Sequence, residues 1–322
     1  MTDSARCERA QGDTGIIQGG PLPKDLREKR TDQKLTRRKA VLREKRRLRT
    51  FEVVGLWLTR SILWVVMLAS LFPTAWVVTA SFQKGDVFFS NTLIPRQFTV
   101  ENYAKVIRET DFLRWVKNSL ILCTGSALIQ VFLTATAAYG FSRFRFRGRK
   151  YGLMTLLLLQ MFPASMALVA IYTMLARLNL LDNLYAFMFV MAGGSAFNIW
   201  ITKGYMDSLP RELDEAAMVD GATHWQVFRY VILPLARPML IVIFLWSFMG
   251  TYSEFMLSSA VLKNPHNYTI ALGLQRFILN QFAARWTLFS AASLMASLPV
   301  VVIWMFLQKY VVSGLTRGAV KG

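Results

Sequence analysis

Six apolar blocks, each about as long as a membrane crossing, dominate this chain. They cover residues 61–81, 116–141, 151–175, 184–205, 238–261 and 287–310. A hydrocarbon core about 30 Å thick takes roughly 20 residues of helix to cross. Inside lipid only helices or closed barrels satisfy every backbone polar group, and these blocks are too long and too continuously apolar for barrel strands. The expected fold class is therefore an all-α integral membrane protein with six transmembrane helices. Composition agrees: of 322 residues 54% are hydrophobic and 18% charged, less charge than a soluble protein of this size carries. The first block is no cleavable signal peptide, because it follows a 60-residue basic tail and no small-residue cleavage site comes after it.

Charge gives the expected orientation. The net charge is +19, and residues 1–60 hold 16 of the 38 lysines and arginines. With both termini cytoplasmic, 28 of those 38 fall on the inner side, as the positive-inside rule requires. The short loop carrying Arg143, Arg145, Arg147, Arg149 and Lys150 is the better witness, since the long tail inflates the count. Two regions are expected: a basic cytoplasmic tail over 1–50, disordered in part, and a six-helix membrane domain over 51–322. In the tail, residues 34–49 form a dense basic run suited to anionic lipid headgroups. The run lacks interleaved aromatics and any known nucleic-acid module, so no nucleic-acid partner is expected. Cys7 and Cys123 lie far apart in this topology, which argues against a disulfide or a cysteine metal site.

The connections are uneven. Residues 82–115 form an outer connection in which Thr99 is placed to cap a short helix. Gln160 and Pro163 lie inside the third block, where a proline frees a carbonyl and kinks a helix. Gly193, Gly194 and Ser195 in the fourth block permit close helix approach. The longest inner connection, about residues 206–237, reads as a water-exposed helix from near Ser208 or Pro210 through Phe228. Gly221 interrupts it, and Pro234 and Pro238 mark the entry into the fifth span. Asp214 and Glu215 suit the positive end of that helix's dipole. Ala216 and Ala217 let another surface approach closely, and Gly221 permits a sharp turn or a close backbone contact.

Catalytic chemistry finds little support. There is no G-x-x-x-x-G-K-[ST] phosphate loop, so any ATP-driven role needs a separate motor. The only histidines, His224 and His266, are assigned to opposite sides of the membrane, and no metal or nucleophile constellation is expected. No catalytic residue is assigned. Glu254, in or near the fifth span, either lines a polar path or touches an outer partner, or it sits in the interface satisfied by water.

The stretch Glu215–Ala216–Ala217, then Gly221, then Val231–Ile232–Leu233–Pro234 resembles the coupling ("EAA") loop of ABC-importer permeases. Gln160–Met161–Phe162–Pro163, Gly221–Ala222–Thr223, Tyr268–Thr269 with Gly273, and the ending Gly314–Leu315–Thr316 through Val320–Lys321–Gly322 are similar to the MalG-type permeases of maltose/maltodextrin importers. The resemblance runs from about residue 55 to the end. It implies a type I ABC-importer permease fold in the bacterial plasma membrane and a non-catalytic role. The implied partners are a MalF-like second permease, a MalK-like ATPase dimer that uses ATP and Mg²⁺, and an extracytoplasmic sugar-binding protein. This chain itself would bind no cofactor. The resemblance also implies that Glu215, Ala216, Ala217, Asp220, Gly221 and Pro234 couple to the ATPase. Gly318, Val320, Lys321 and Gly322 would form an ATPase-contacting tail, and Leu279, Asn280 and Gln281 would meet the binding protein. Two alternatives stay open at this point: an ABC permease for another solute such as glycerol phosphate, or an ion-driven secondary transporter.

Overall fold

The computed structural model describes residues 24–85, 97–194, 196–279 and 285–317. Among them the regular structure is helical, with one isolated bridge between Gln83 and Phe98. The chain divides into two units, residues 1–72 and residues 73–322. The first unit holds most of helix α1 (Lys24–Ser81), whose candidate span is Val53–Ser81. Trp57, Leu58, Trp64, Val65 and Leu68 are all exposed there, so this part of the helix presents an apolar surface. Lipid is the solvent such a surface requires.

In the second unit follow α2 (Glu101–Glu109), α3 (Phe112–Arg143), α4 (Arg149–Gln160), α5 (Leu168–Arg177), α6 (Leu184–Ala192), α7 (Ala196–Asp207) and α8 (Glu212–Val219). Then come α9 (His224–Tyr252), α10 (Met256–Val261), α11 (Ile270–Gln275) and α12 (Trp286–Arg317). Among the described residues four helices are long and apolar enough to cross a membrane, and two bent pairs bring the number to six when each pair counts as one span. The third span bends by 83° at Met161–Pro163 and the fourth by 49° after Gly193.

Helix α3 is the hub. Its buried positions Ser119, Cys123, Ser126, Gln130, Thr134, Ala138 and Ser142 recur every three or four residues, a stripe of small and polar side chains along one face. Small residues let helix backbones approach, which is how membrane helices gain packing where no hydrophobic driving force separates protein from lipid. The polar members also make specific bonds. The Ile270 amide donates to Ser119 Oγ at 2.7 Å, tying down α11. Ser126 Oγ donates to the Met188 carbonyl at 3.2 Å, Gln130 Nε2 to the Gly194 carbonyl at 3.0 Å, and Ser142 Oγ to Asp207 Oδ1 at 2.7 Å.

Breaking a helix inside a membrane strands backbone groups, and each stranded group costs several kcal/mol in hydrocarbon. The break in the fourth span is answered by two glutamines. Gln130 satisfies the Gly194 carbonyl, and Gln160 Oε1 accepts the Phe197 amide, near the free start of α7, at 2.5 Å. The glycines of the fourth span thus mark a break, where the sequence suggested close helix packing. The fifth span also differs from expectation. Its helix stops at Tyr252 because Ser253 Oγ turns back to the Met249 carbonyl (3.0 Å) and Glu254 Oε1 takes the Leu257 amide (2.5 Å), which opens α10 as a separate helix. The sixth helix continues to Arg317, into the segment read as an inner tail. In the connection before α3, the cap position falls on Val100, one residue after Thr99; the Thr99 hydroxyl still accepts the Glu101 amide at 3.1 Å.

Packing at the α11 contact is tight. A Cβ built on Gly273 would lie 2.1 Å from Cε3 of buried Trp115, whose ring sits edge-on to Phe277. At Gly125 a Cβ would meet only the flexible thioether of Met188. Gly273→Ala is expected to cost about 1–3 kcal/mol as overpacking, and Gly125→Ala clearly less. Thermal unfolding of the two purified variants in detergent checks the order; equal midpoints would contradict this account of the contact.

Candidate functional site

The site is the connection between the fourth and fifth spans. Helix α8 opens with Glu212, Asp214 and Glu215 in its first turn, where carboxylates meet the positive end of the helix dipole. It ends in a tight reverse. The Ala222 amide donates to the Ala217 carbonyl at 3.0 Å and the Gly221 amide to the Met218 carbonyl at 3.1 Å, the bond pair of a Schellman cap. That cap demands a left-handed residue, and Gly221 has φ +88°. A Cβ there would meet nothing within 4 Å, so the backbone conformation, with no close neighbour involved, asks for glycine. Two residues later Thr223 starts α9 with a capping box: the Thr223 amide donates to Gln226 Oε1 at 2.7 Å, and the Gln226 amide to Thr223 Oγ1 at 3.4 Å. One helix is capped and the next begun with no slack between them.

The fifth span's helix is thus under way at His224, ten residues before Pro234, where the sequence suggested the entry. A proline inside a helix lacks an amide hydrogen and its ring crowds the carbonyl four residues back. Here a π-type turn over Val227–Ile232 precedes it, and the Leu233 amide reaches the Phe228 carbonyl. The wider turn lets the helix pass Pro234 and Pro238 unbroken.

Asp214 was read as a partner of the helix dipole; the structure adds a second role. Its side chain and that of Arg143, the last residue of α3, are 9% and 7% exposed, with Nε and Oδ2 2.5 Å apart. Arg143 Nη2 donates to the Leu209 carbonyl (3.2 Å), and Arg211 and Arg149 both donate to the Ser142 carbonyl (3.4 and 3.2 Å). Neither Asp214 oxygen has a well-aligned donor, so the pair is held by charge more than by hydrogen-bond geometry. Burial pushes the Asp214 carboxyl above its ordinary pKa; Arg143 and Arg211 pull against that shift and Glu215 adds to it. For an acid raised on folding, the stability that it contributes is full below the ordinary carboxylate value and is lost as pH rises through the raised one. Around the pair lies an apolar cluster of Ala138, Tyr139, Met206, Val227, Phe228 and Ile232, with Ala217 packed on it. The Tyr139 ring lies 4.9 Å from Phe228, and its hydroxyl donates to the His224 carbonyl at 3.3 Å.

The outward face is different. Glu215, Ala216, Asp220 and Gly221 are exposed and Ala217 is half-buried. Beside them stand apolar side chains in the open: Val219 at 87% exposure, Trp225 at 60%, with Leu213 and Met218. Trp225 and the Arg143–Asp214 pair escaped the sequence reading. The exposed tryptophan next to the glycine turn was a signal available there; the ion pair, across 71 positions of sequence, was not.

Of the other expected site residues, Glu254 lies half-buried in the turn between α9 and α10, with its carboxylate on the Leu257 amide. Leu279 is exposed, while Phe277 just before it is buried against Trp115. Asn280 and Gln281 lie outside the described residues, as do Gly318, Val320, Lys321, Gly322 and Cys7. Among the described residues no three His, Cys, Asp or Glu side chains group as a metal site.

Six apolar spans and a water-exposed helix, closed by a glycine turn, between the fourth and fifth define a multi-pass membrane permease. The chain belongs to the family described as binding-protein-dependent transport system inner membrane components, whose model matches residues 130–317. It is a non-catalytic membrane component. It is similar to the maltose/maltodextrin transport system permease protein MalG of Escherichia coli strain K12, 37% identical over 286 residues, which cover 83% of this chain and 96% of that protein. It is 39% identical over 260 residues to the galactooligosaccharides transport system permease protein GanQ of Bacillus subtilis strain 168, covering 78% of this chain and 90% of GanQ. Among solved structures, a chain of a bacterial ABC transporter involved in the import of the acidic polysaccharide alginate matches with TM-score 0.69 at 24% identity, over 82% of this chain and 97% of that one. That likeness bears out the type I permease fold.

Removing one partner of a buried ion pair strands the other charge and costs about 3–5 kcal/mol, whereas replacing both with apolar residues is often near neutral. Asp214→Ala and Arg143→Ala are each expected to lower thermal stability sharply. Arg143→Met with Asp214→Leu recovers most of the loss. Unfolding curves of the three variants settle the matter, and additive losses in the double variant would contradict the pairing.

Proposed function

We propose that this chain is one of two membrane subunits of an ATP-driven importer for maltodextrin or a related oligosaccharide. A MalF-like permease forms the other half of the path. A MalK-like ATPase dimer, using ATP and Mg²⁺, drives it, and an extracytoplasmic sugar-binding protein delivers the cargo. This subunit holds no nucleotide of its own. The protein sits in the bacterial plasma membrane with both termini cytoplasmic and lipid around α1. The observation that carries the reading is the α8 knob: an exposed face of Glu215, Ala216, Asp220 and Gly221, flanked by Val219 and Trp225, rigidly tied to the spans on its other side.

In this mechanism α8 seats in a cleft of one ATPase subunit. Closure of the ATPase dimer displaces α8, and the capped elbow at 217–226 passes the movement to α9. The Arg143–Asp214 pair passes it to α3. The spans then rock between inward-open and outward-open states, provided that the ATPase binds α8 differently in the two. Gly318, Val320, Lys321 and Gly322 reach between the ATPase subunits. Leu279, Asn280 and Gln281 meet the binding protein, and Glu254 borders the path near its outer end. The identity to a galactooligosaccharide permease supports a second reading within the same class, in which the cargo is a galactose oligomer.

Glu215→Ala and Gly221→Asp are expected to lower sugar transport and ATPase co-purification in the reconstituted complex. Gly221→Asp carries an added backbone cost of about 1–2 kcal/mol, because an L-residue is strained at that φ. Full transport by both variants would remove the docking role. Calorimetric titration of the cognate binding protein with maltodextrins, galactooligosaccharides and glycerol phosphate identifies the cargo, and tight binding of glycerol phosphate alone would overturn the oligosaccharide reading.

A further inference from the structure

Away from the α8 knob, a cavity of about 620 Å³ opens between the start of α4 and the middle of α7. Arg149, Lys150 and Lys203 line it, together with Tyr151, Met154 and Trp200, and no acidic side chain lines it. Lys203 is paired with Asp207, and Arg149 donates to the Ser142 carbonyl, so both are held in place. Lys150 is exposed and has no acidic partner among the described residues. The cavity lies on the coupling-loop side, since Asp207 bonds Ser142 next to the Arg143–Asp214 pair.

The lining changes character with depth along the helix. Cationic groups occupy the first turn of α4, and Leu153, Met154 and Leu157 follow toward the span's interior. Tyr151 at 73% exposure and Trp200 at 47% stand between the two zones, the place where amphipathic rings settle at a membrane surface. An occupant that matches this order has an anionic head and a hydrocarbon body. A nucleotide or a free sugar phosphate would leave the apolar wall wet, and a neutral lipid would leave Lys150 without a counter-charge.

We propose that this cavity binds an anionic phospholipid of the leaflet on the coupling-loop side, with the phosphodiester between Lys150 and Lys203 and one acyl chain along Met154 and Leu157. The site ties the inner end of the bent third span to the inner end of the fourth. Anionic lipid therefore braces the hinge pair from which the coupling loop leaves. The inference depends on the membrane placement and not on which solute is carried.

The test is native mass spectrometry of the assembled permease–ATPase complex, titrated with dioleoylphosphatidylglycerol, dioleoylphosphatidylcholine or inorganic phosphate. The unmodified complex is expected to hold phosphatidylglycerol in preference to phosphatidylcholine. Each lysine facing the head contributes about fivefold in affinity, so Lys150→Gln weakens phosphatidylglycerol binding about fivefold and Lys150→Gln with Lys203→Gln about twenty-five-fold. Lys150→Arg retains it, and Lys117→Gln, a charge removed at the opposite end of α3, leaves it unchanged. Where the double variant fails to assemble, Lys150→Gln alone decides. The proposal is overturned by unchanged phosphatidylglycerol binding in Lys150→Gln, by equal binding of phosphatidylcholine, by displacement with inorganic phosphate at matched concentration, or by crosslinks from residue 150 that reach a protein partner in place of lipid.

Discussion

The buried pair of Arg143 and Asp214 is the contact on which the rest of the machine depends. It joins the end of the hub helix α3 to the first turn of α8, two elements with no covalent connection nearby. Charges are buried at high cost, and a buried pair is weak evidence for added stability. Its use here is positional. It holds α8 against the apolar cluster through Ala217 and leaves the opposite face of α8 open. Burial raises the Asp214 carboxyl, and the attraction of Arg143 and Arg211 opposes that shift. Such a contact specifies one orientation of the loop.

The second constraint is imposed by lipid. A transport path requires spans that change shape, and a broken helix in hydrocarbon requires every freed backbone group to find a partner. The chain meets both demands with side chains from neighbouring spans. Gln130 on α3 serves the break after Gly193, and Gln160 at the end of α4 serves the start of α7. The polar stripe on α3 therefore packs the bundle and also sustains the bend of the fourth span. The bent spans are tied at the end away from the coupling loop as well: Asp182 Oδ1 accepts the amides of Lys263 and Asn264, which fastens the loop before α6 to the one after α10.

Much of this was legible in the sequence, for reasons that differ by element. The six spans could be read because apolar length is a one-dimensional property. The bend at Pro163 could be read because proline acts on its own helix. Gly221 was legible as an interruption that permits a sharp turn or a close backbone contact, and the structure makes it the turn. The residues that escaped are those whose meaning is set by a distant partner. Asp214 looked like one more carboxylate near a helix start, and only the fold brings Arg143 to it. Gly193 and Gly194 carried no mark to distinguish a packing surface from a break. Pro234 misled because the π-type turn that accommodates it is a property of the whole helix from Val227 to Ile232. Ser253 and Glu254 ended the fifth span early by local bonding that an apolar count does not register.

The central claim is mechanical: α8, the elbow and the inner end of α9 move as one body when the ATPase closes. Spin labels at the exposed positions 219 and 230, in a background without Cys7 and Cys123, measure this directly by double electron–electron resonance on the assembled complex. A rigid elbow predicts the same mean distance and the same width in the nucleotide-free and ATP-trapped states, while the distance from 219 to a label on the outer end of α3 changes. A shift or broadening of the 219–230 distribution on ATP binding would show the elbow bending under load and contradict the account.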